Sequence, residues 1–593
     1  MISDTMNELN PKLGLALLAG LTVSGVASRE ADAQSRDPKR PNILVVSTED
    51  ISCYLGCYGD PQAKTPNLDR FAESAIRYTN MHTPNGVSSP SRFALITGCY
   101  PSAHGANYMR ASYYNYDVVT PEYMRAYPEY LRAAGYYCTN NSKTDYQIST
   151  VESHWDENGR NATWKHCPEG QPFFAIFNIN TTHEGQLWSR KEPFEVQPED
   201  IDMKNCFPYF PDVPEVRNDL ARMYTNIAIM DREAQAYFDE IEEAGLADNT
   251  IIIWFSDNGG PIPRGKRSIY NTGTNVPFMV KFPDGYRAGQ VEDRLVTFMD
   301  VPATILSLAG IQVPSYMDGK PFLGSQDSKP AEYVFQARDR YDNVSDHSAG
   351  ARDKRFHYIR NYMPETSNYL HNEFRLSLPM MQLMLEMRDK GTLNEEQMLY
   401  FKTPRPVEEF YDLANDPYEL HNLAGDPAFR YDFERLKAAF DEWNNTTNRV
   451  WNTKTEEEWI EEFKPGGEFQ VVAAPVITKT AEGYVFSCDT PGVSYVYKVQ
   501  TVKEQKDAAK ALAKAQKESD IAFEKRKAEM ASRPLDSIPS YMRAAMNNRP
   551  IVQDNSHWDY YSEPIPVEKG KVISVKACRA GMKTSETVTI KMK

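Results

Sequence analysis

Residues 42–50, Asn42-Ile-Leu-Val-Val-Ser-Thr-Glu-Asp50, begin as an apolar run just after Pro41 and end on two carboxylates. A continuous apolar run of this length reads as a strand buried on both faces, the pattern of sheets covered by helices on each side. Phe173-Phe-Ala-Ile-Phe-Asn178 and Thr250-Ile-Ile-Ile-Trp-Phe255 repeat it. Polar residues follow each at once: Thr182-His183-Glu184 after the first, Ser256-Asp257-Asn258-Gly259 after the second. Helical segments alternate with these strands; one starts at Thr65-Pro66, an N-cap and first turn ahead of Phe71, Ala75 and Ile76. The alternation predicts an α/β layer fold. Open α/β sheets place their sites at the carboxyl ends of strands, which is where all three polar clusters fall.

Between the first two strands lies Val87-Ser-Ser-Pro-Ser-Arg-Phe-Ala-Leu-Ile-Thr-Gly98. Pro90 suits a first helical turn, Phe93 to Ile96 supply an apolar helical stretch, and Gly98 is a stop. Ser88 then stands at a helix N-terminus, where free N–H groups and the dipole favour an anion. A bare serine is a poor nucleophile unless something activates it. The pattern implies either a modified serine or a silent site.

The chain has 593 residues, enough for two or three domains, and 41% of them are hydrophobic. Its formal charge of −16 argues against a nucleic-acid or anionic-membrane surface. Residues 13–27 form an apolar run after Lys12, and Ala31-Asp-Ala33 supplies a cleavage site, so residues 1–33 read as a signal peptide. A membrane anchor is the alternative, but the run is short for a span of about 20 residues. Export without membrane insertion, to the periplasm or outside, is expected. Eight cysteines do not make a disulfide scaffold in a chain of this size. Cys488 and Cys578, in separate strand candidates, form either a pair or two buried thiols.

The stretch at 87–98 resembles the signature of the type I sulfatases, Cys/Ser-x-Pro-Ser-Arg followed by an apolar turn and Thr-Gly, in its serine-type form. The resemblance implies an alkaline-phosphatase-like sulfatase sandwich with a smaller C-terminal subdomain. It also implies that Ser88 is oxidised to formylglycine by a dedicated maturase. Glu49 and Asp50 stand where the family has paired aspartates, and Asp257-Asn258 match its second metal pair. With residue 88 these make an oxygen-rich site suited to Ca2+. The resemblance casts Arg92 as partner of the formylglycine oxygen, Lys143 and Lys266 as sulfate clamps, and His183 as the acid that protonates the leaving alcohol. Asp145 occupies the place of a family histidine. Arg264 and Arg267 flank Lys266 as competing clamps or substrate readers. His104, Asn107 and Arg110, in the loop after the signature, and Arg338 and Arg340 resemble specificity segments that bind substrate.

Residues 409–424 resemble the family's late Tyr-Asp-Leu…Asp-Pro-x-Glu…Asn-Leu turn, which sets a catalytic domain at 38–425. Residues 426–467 read as a helical closing segment ending in the linker Pro465-Gly-Gly467. From 468 to 593 short alternating strands predict an appended β-sandwich, similar to the Ig-like domain of chitobiase. An Ala/Lys/Glu-rich helical insertion at 501–549 interrupts it. The motif set is closest to the N-sulfoglucosamine sulfohydrolase branch. It implies an exo-acting sulfatase that removes O- or N-sulfate from sugars of mucin or glycosaminoglycan-type glycans. The rivals are a phosphomonoester or phosphonate hydrolase of the same superfamily and a silent glycan-binding protein.

Overall fold

A computed structural model describes residues 40–531 and 557–593. The opening run forms β1 (Asn42–Thr48), buried along its whole length. Alternation deals its residues to two cores: Ile43 and Val45 join one cluster, Leu44 and Val46 the other. Each such side chain contributes about 1.5–3 kcal/mol when fully buried. A run without a polar face is therefore stable only at the centre of a covered sheet.

In chain order the sheet continues with β2 (Ile76–His82), β3 (Tyr137–Asn141), β4 (Glu157–Asn158) and β5 (Phe173–Ile179). It is completed by β6 (Thr250–Ser256), β7 (Asn275–Lys281) and β8 (Val291–Glu292), with β9 (Val296–Thr297) pairing on β2. The spatial order is β4-β3-β5-β1-β6-β7-β2-β8. β4, β3, β5, β1 and β6 run parallel, and β7 is antiparallel to both its neighbours. β1 lies between β5 and β6, two strands the chain reaches much later, so three carboxyl ends open side by side at a crossover point.

Helices cover both faces. The signature helix (Ser88–Thr97), Tyr127–Ala133 and Asp300–Leu308 pack through Phe93, Leu131 and Ile305 on one core. Pro66–Ser74 and Pro214–Glu243 pack through Leu68, Leu220 and Ile227 on the other. The signature helix is buried on every side and ends on Gly98 at φ 74°, the left-handed cap that glycine supplies without strain.

A second, antiparallel sheet follows: β10 (Val334–Arg338), β11 (Ser348–Arg352), β12 (Phe356–Asn361) and β13 (Glu408–Asp412). The helix Arg430–Thr446 packs on this sheet through Phe433, Leu436 and Phe440. The helix Glu456–Phe463 instead places Trp459 and Phe463 on the main core. The appended sandwich pairs β14 (Val476–Lys479) with β15 (Tyr484–Ser487), facing a sheet of β16 (Ser494–Thr501), β17 (Asp559–Tyr560), β18 (Lys571–Cys578) and β19 (Val588–Lys591). Tyr484 and Phe486 meet Ile573 and Val575 between the two sheets. The helix Val502–Ala531 leaves β16 directly and buries no residue, as its Lys/Glu-rich composition requires. The rest of the insertion, and the expected signal peptide, lie outside the described residues. All eight cysteines are free, so Cys488 and Cys578 do not pair. Among the described residues no helix is long and apolar enough to cross a membrane.

Candidate active site

The carboxyl ends of β1, β5 and β6 and the start of the signature helix converge on one buried polar cluster. Glu49 and Asp50 follow β1, and Asp50 sits at φ 53°, a left-handed conformation uncommon for a side chain with a Cβ. Its surroundings over-determine that strained geometry. The Asp50 N–H donates to Asp257 Oδ1 at 3.2 Å, while its carboxylate accepts from Asn258 Nδ2 at 3.0 Å and from the Glu184 N–H at 2.8 Å. Lys266 Nζ lies 2.7 Å from Asp50 Oδ2.

Ser88 is buried and donates from Oγ to Asn258 Oδ1 at 2.9 Å. Arg92, one turn on, bonds Asp257 Oδ2 at 2.9 Å through Nε and Asn178 Oδ1 at 2.9 Å through its terminal nitrogen. Lys143 Nζ contacts Glu49 Oε2 at 2.6 Å and Asp145 Oδ2 at 3.5 Å. His183 Nδ1 accepts from the Gly185 N–H at 3.2 Å, which leaves the neutral ring's proton on Nε2. That Nε2 faces Glu49 Oε2 at 3.9 Å.

The charges explain one another. Burial opposes ionisation of Glu49, yet Lys143, His183 and Arg92 together hold its carboxyl below the usual range. Burial is likewise outweighed at Asp50, chiefly by Lys266. Asp257 goes the other way: burial and the neighbouring Glu49 and Asp50 carboxylates push it up in spite of Arg92. Burial and the Lys266 charge push His183 down. The site is an array of fixed charges in a poorly solvated crevice, where each Coulombic term counts for more than at the surface.

Nine of the expected residues therefore meet here: Glu49, Asp50, Ser88, Arg92, Lys143, His183, Asp257, Asn258 and Lys266. They offer a cation oxygen donors, and Glu49 Oε1 is buried without a hydrogen-bond partner. Among the described residues the carboxylates do not close into a three-ligand cage, because lysines and Arg92 each take an oxygen.

The expected substrate readers are distributed differently. His104 sits beyond the signature helix beside Phe93, in a cavity of about 360 Å3 shared with Trp459 and Arg579, and burial pushes its imidazole down to about 4. Arg264 lies 4.5 Å from the Tyr270 ring centroid and donates to the carbonyls of Tyr418 and Glu419. Arg338 is spent on Asp346 at 3.1 Å, and Arg340 on Glu456 at 2.5 Å while lying over Tyr114. Arg264, Arg338 and Arg340 are thus each engaged by protein groups, and Arg264 also lines a small cavity together with Lys266, Arg267 and Arg375. Arg110 pairs with Asp145 at 2.9 Å on the rim, and Asn107 is buried with neither amide atom bonded. Arg267 bonds Glu184 at 2.7 Å and Asp342 at 2.7 Å.

The sequence reading missed Glu184 as a functional group. This buried carboxylate gathers Lys266 at 3.7 Å, Arg267, and Arg375 at 2.8 Å, and those three cations hold it well below the usual carboxylate range although burial opposes them. Its place in Thr181-Thr-His-Glu184, next to the singled-out histidine, was the available signal.

Comparison with known proteins places these features in context. Residues 41–311 match the family model described as Sulfatase, and residues 264–373 match that described as N-sulphoglucosamine sulphohydrolase, C-terminal. An ulvan-active sulfatase of Formosa agariphila is 37% identical over 505 residues, covering 78% of this chain and 85% of that protein. The human N-sulphoglucosamine sulphohydrolase is 26% identical over 462 residues, covering 69% of this chain and 91% of that protein. Among solved structures, a phosphonate monoester hydrolase of Silicibacter pomeroyi superposes with a TM-score of 0.51 at 14% identity, over 76% of this chain and 100% of its own. That last likeness concerns the fold alone.

Proposed function

The chain belongs to the sulfatase family, and we propose that it releases sulfate from sugars of acidic polysaccharides through a formylglycine generated at Ser88. One observation carries the reading. Ser88 Oγ donates to Asn258 Oδ1, an amide oxygen that takes up no proton, so the serine stands at a helix N-terminus among cations without a base. A serine without a hydrogen-bonded base attacks only if a metal activates it or if it is modified first, and the Ser-x-Pro-Ser-Arg setting of Ser88 favours modification.

The chain's own groups then divide the work. Lys143 and Lys266 leave Glu49 and Asp50 far enough to neutralise non-bridging sulfate oxygens. Arg92 and Asn258 orient residue 88. His183, with its proton on Nε2, donates to the bridging oxygen as the S–O bond breaks, so that the sugar leaves as a neutral alcohol. Asp145 is held ionised against burial by Lys143 and Arg110. Paired with Lys143 at 3.5 Å, Asp145 serves to aim that lysine. Glu49, Asp50, Asp257, Asn258 and residue 88 would hold a Ca2+ ion, whose contribution when bound is to neutralise charge beside residue 88. The partially unsatisfied Glu49 supports that fit. Asn107, Arg110 and Arg267 lie near enough in the chain to the site's loops to shape the substrate side.

Similarity to an ulvan-active sulfatase and to an N-sulphoglucosamine sulphohydrolase supports a sulfated glycan as substrate. A leader at 1–33, an oxidising maturase as partner and an Ig-like class for the sandwich fit an exported glycan-processing enzyme. The test is the chain produced beside such a maturase. Mass spectrometry should find the Ser88 peptide lighter by two hydrogens, and sulfate should be released from ulvan fragments or sulfated glucosamines but phosphate not from the matching phosphate esters. Unmodified Ser88 with phosphomonoesterase activity would overturn the proposal in favour of the phosphatase-like reading.

A further inference from the structure

Phe374 is a large apolar side chain left 45% exposed, and the fold holds it there. On one side Asn372, buried, bonds the Asp342 carboxylate; on the other Arg375, buried, bonds Glu184 Oε2 at 2.8 Å. These two anchors fix the backbone on either side of the ring. Its position is specific as well. Trp188, half-buried, meets it edge-on with centroids 4.8 Å apart, and the His183 ring lies 6.3 Å away. Gly185 keeps this corner open: a Cβ there would stand 3.3 Å from His183 Nδ1 and 3.4 Å from Phe374 Cζ.

We propose that Phe374, braced by Trp188, is the face on which the sugar ring bearing the sulfate stacks. This deepens the function proposed above and rests on His183 being the acid for the leaving oxygen. The leaving oxygen is bonded to the sugar ring. An acid that reaches that oxygen therefore has the ring as its next neighbour, and the exposed surface beside His183 is aromatic. A pyranose presents a patch of axial C–H groups to such a face, and an exposed aromatic ring whose edge is fixed by another loses little entropy on binding. The Glu184 carboxylate thus serves both halves of the site, holding the clamp Lys266 and, through Arg375, the ring that receives the sugar.

Steady-state kinetics of formylglycine-bearing enzyme on a sulfated monosaccharide test this, with Phe374→Ala, Phe374→Leu and Phe374→Tyr. An aromatic contact of this kind predicts that Ala raises KM about three- to tenfold, more than it lowers kcat. Tyr should restore KM, and Leu should not, because it supplies apolar cover without a flat face. Unchanged KM in the Ala variant, or equal rescue by Leu, overturns the stacking role while the wild-type activity on sugar sulfates still stands. A wild type that hydrolyses no sulfated sugar overturns the proposed function itself, and this inference with it. Because Phe374 is half exposed, its variants are expected to melt with the wild type, and the Tyr variant separates a local contact from a folding defect.

Discussion

The His183 ring accepts from a backbone N–H at Nδ1 and stands within the field of Glu49, Asp50, Glu184 and Lys266. If it protonates the leaving oxygen, its removal should matter in proportion to how badly the leaving group needs a proton. His183→Ala is expected to lose about 10²–10⁴-fold in kcat on sugar sulfates, the range of a general acid. On nitrophenyl sulfate, whose phenolate leaves readily, the loss should be much smaller. Equal losses on both substrates would mean that His183 positions rather than protonates. At this scale the sequence was a good guide to which residues gather and a poor one to how they pair. Asp257 and Asn258 could be read because they follow a fully apolar strand. Arg338 closes β10 and Arg340 follows it, yet Arg338 is consumed by Asp346 and Arg340 by Glu456, 116 residues further along the chain. Neither the local pair nor the distant one is encoded by composition and spacing.

Among elements, the signature helix is set against the loop that carries Lys266 by a contact between backbones. The Gly86 carbonyl accepts from the Arg267 N–H at 2.6 Å, and a Cβ on Gly86 would lie 2.2 Å from the Ser268 carbonyl oxygen. Neither backbone can yield as a flexible side chain would. Gly86→Ala should therefore push Ser88 and Lys266 apart, and a displacement of about 1 Å can cost on the order of 10²-fold in rate. The check is kcat for protein whose residue 88 has been verified as modified; full activity would mean that the two loops move independently. The long strands β1, β5 and β6 were legible because each carries a continuous apolar run of four or five residues, which a central position in a covered sheet explains. The two-residue strands β4, β8 and β9 were not, since so short a segment has no period to read. Nor was the division of the closing segment, whose two helices pack on different cores, because helical periodicity gives a buried face without naming its partner.

At the scale of the whole molecule, the question is whether the sandwich is a tethered module or part of the catalytic body. Its contacts argue for the second. Arg132, itself buried against Asp156 at 2.8 Å, donates to the carbonyl of Trp558, and Lys576 pairs with Glu152 at 2.6 Å. Val151 shares an apolar cluster with Val496, Trp558 and Cys578, and Ala580 belongs to the main core. The backbones approach closely too, for a Cβ on Gly581 would lie 2.0 Å from the Val118 carbonyl oxygen. A chain ended at Gly467 would expose these apolar surfaces to water and lose the Arg132–Trp558 and Lys576–Glu152 contacts. Calorimetry of the full chain is expected to give one cooperative transition for the catalytic sheet and the sandwich, and the truncated chain should melt at a lower temperature. Two well-separated transitions, or a truncated chain as stable as the whole, would make the sandwich an independent module. The substrate crevice would then owe nothing to it, and a separate glycan-holding role for the sandwich would become the better account of its presence.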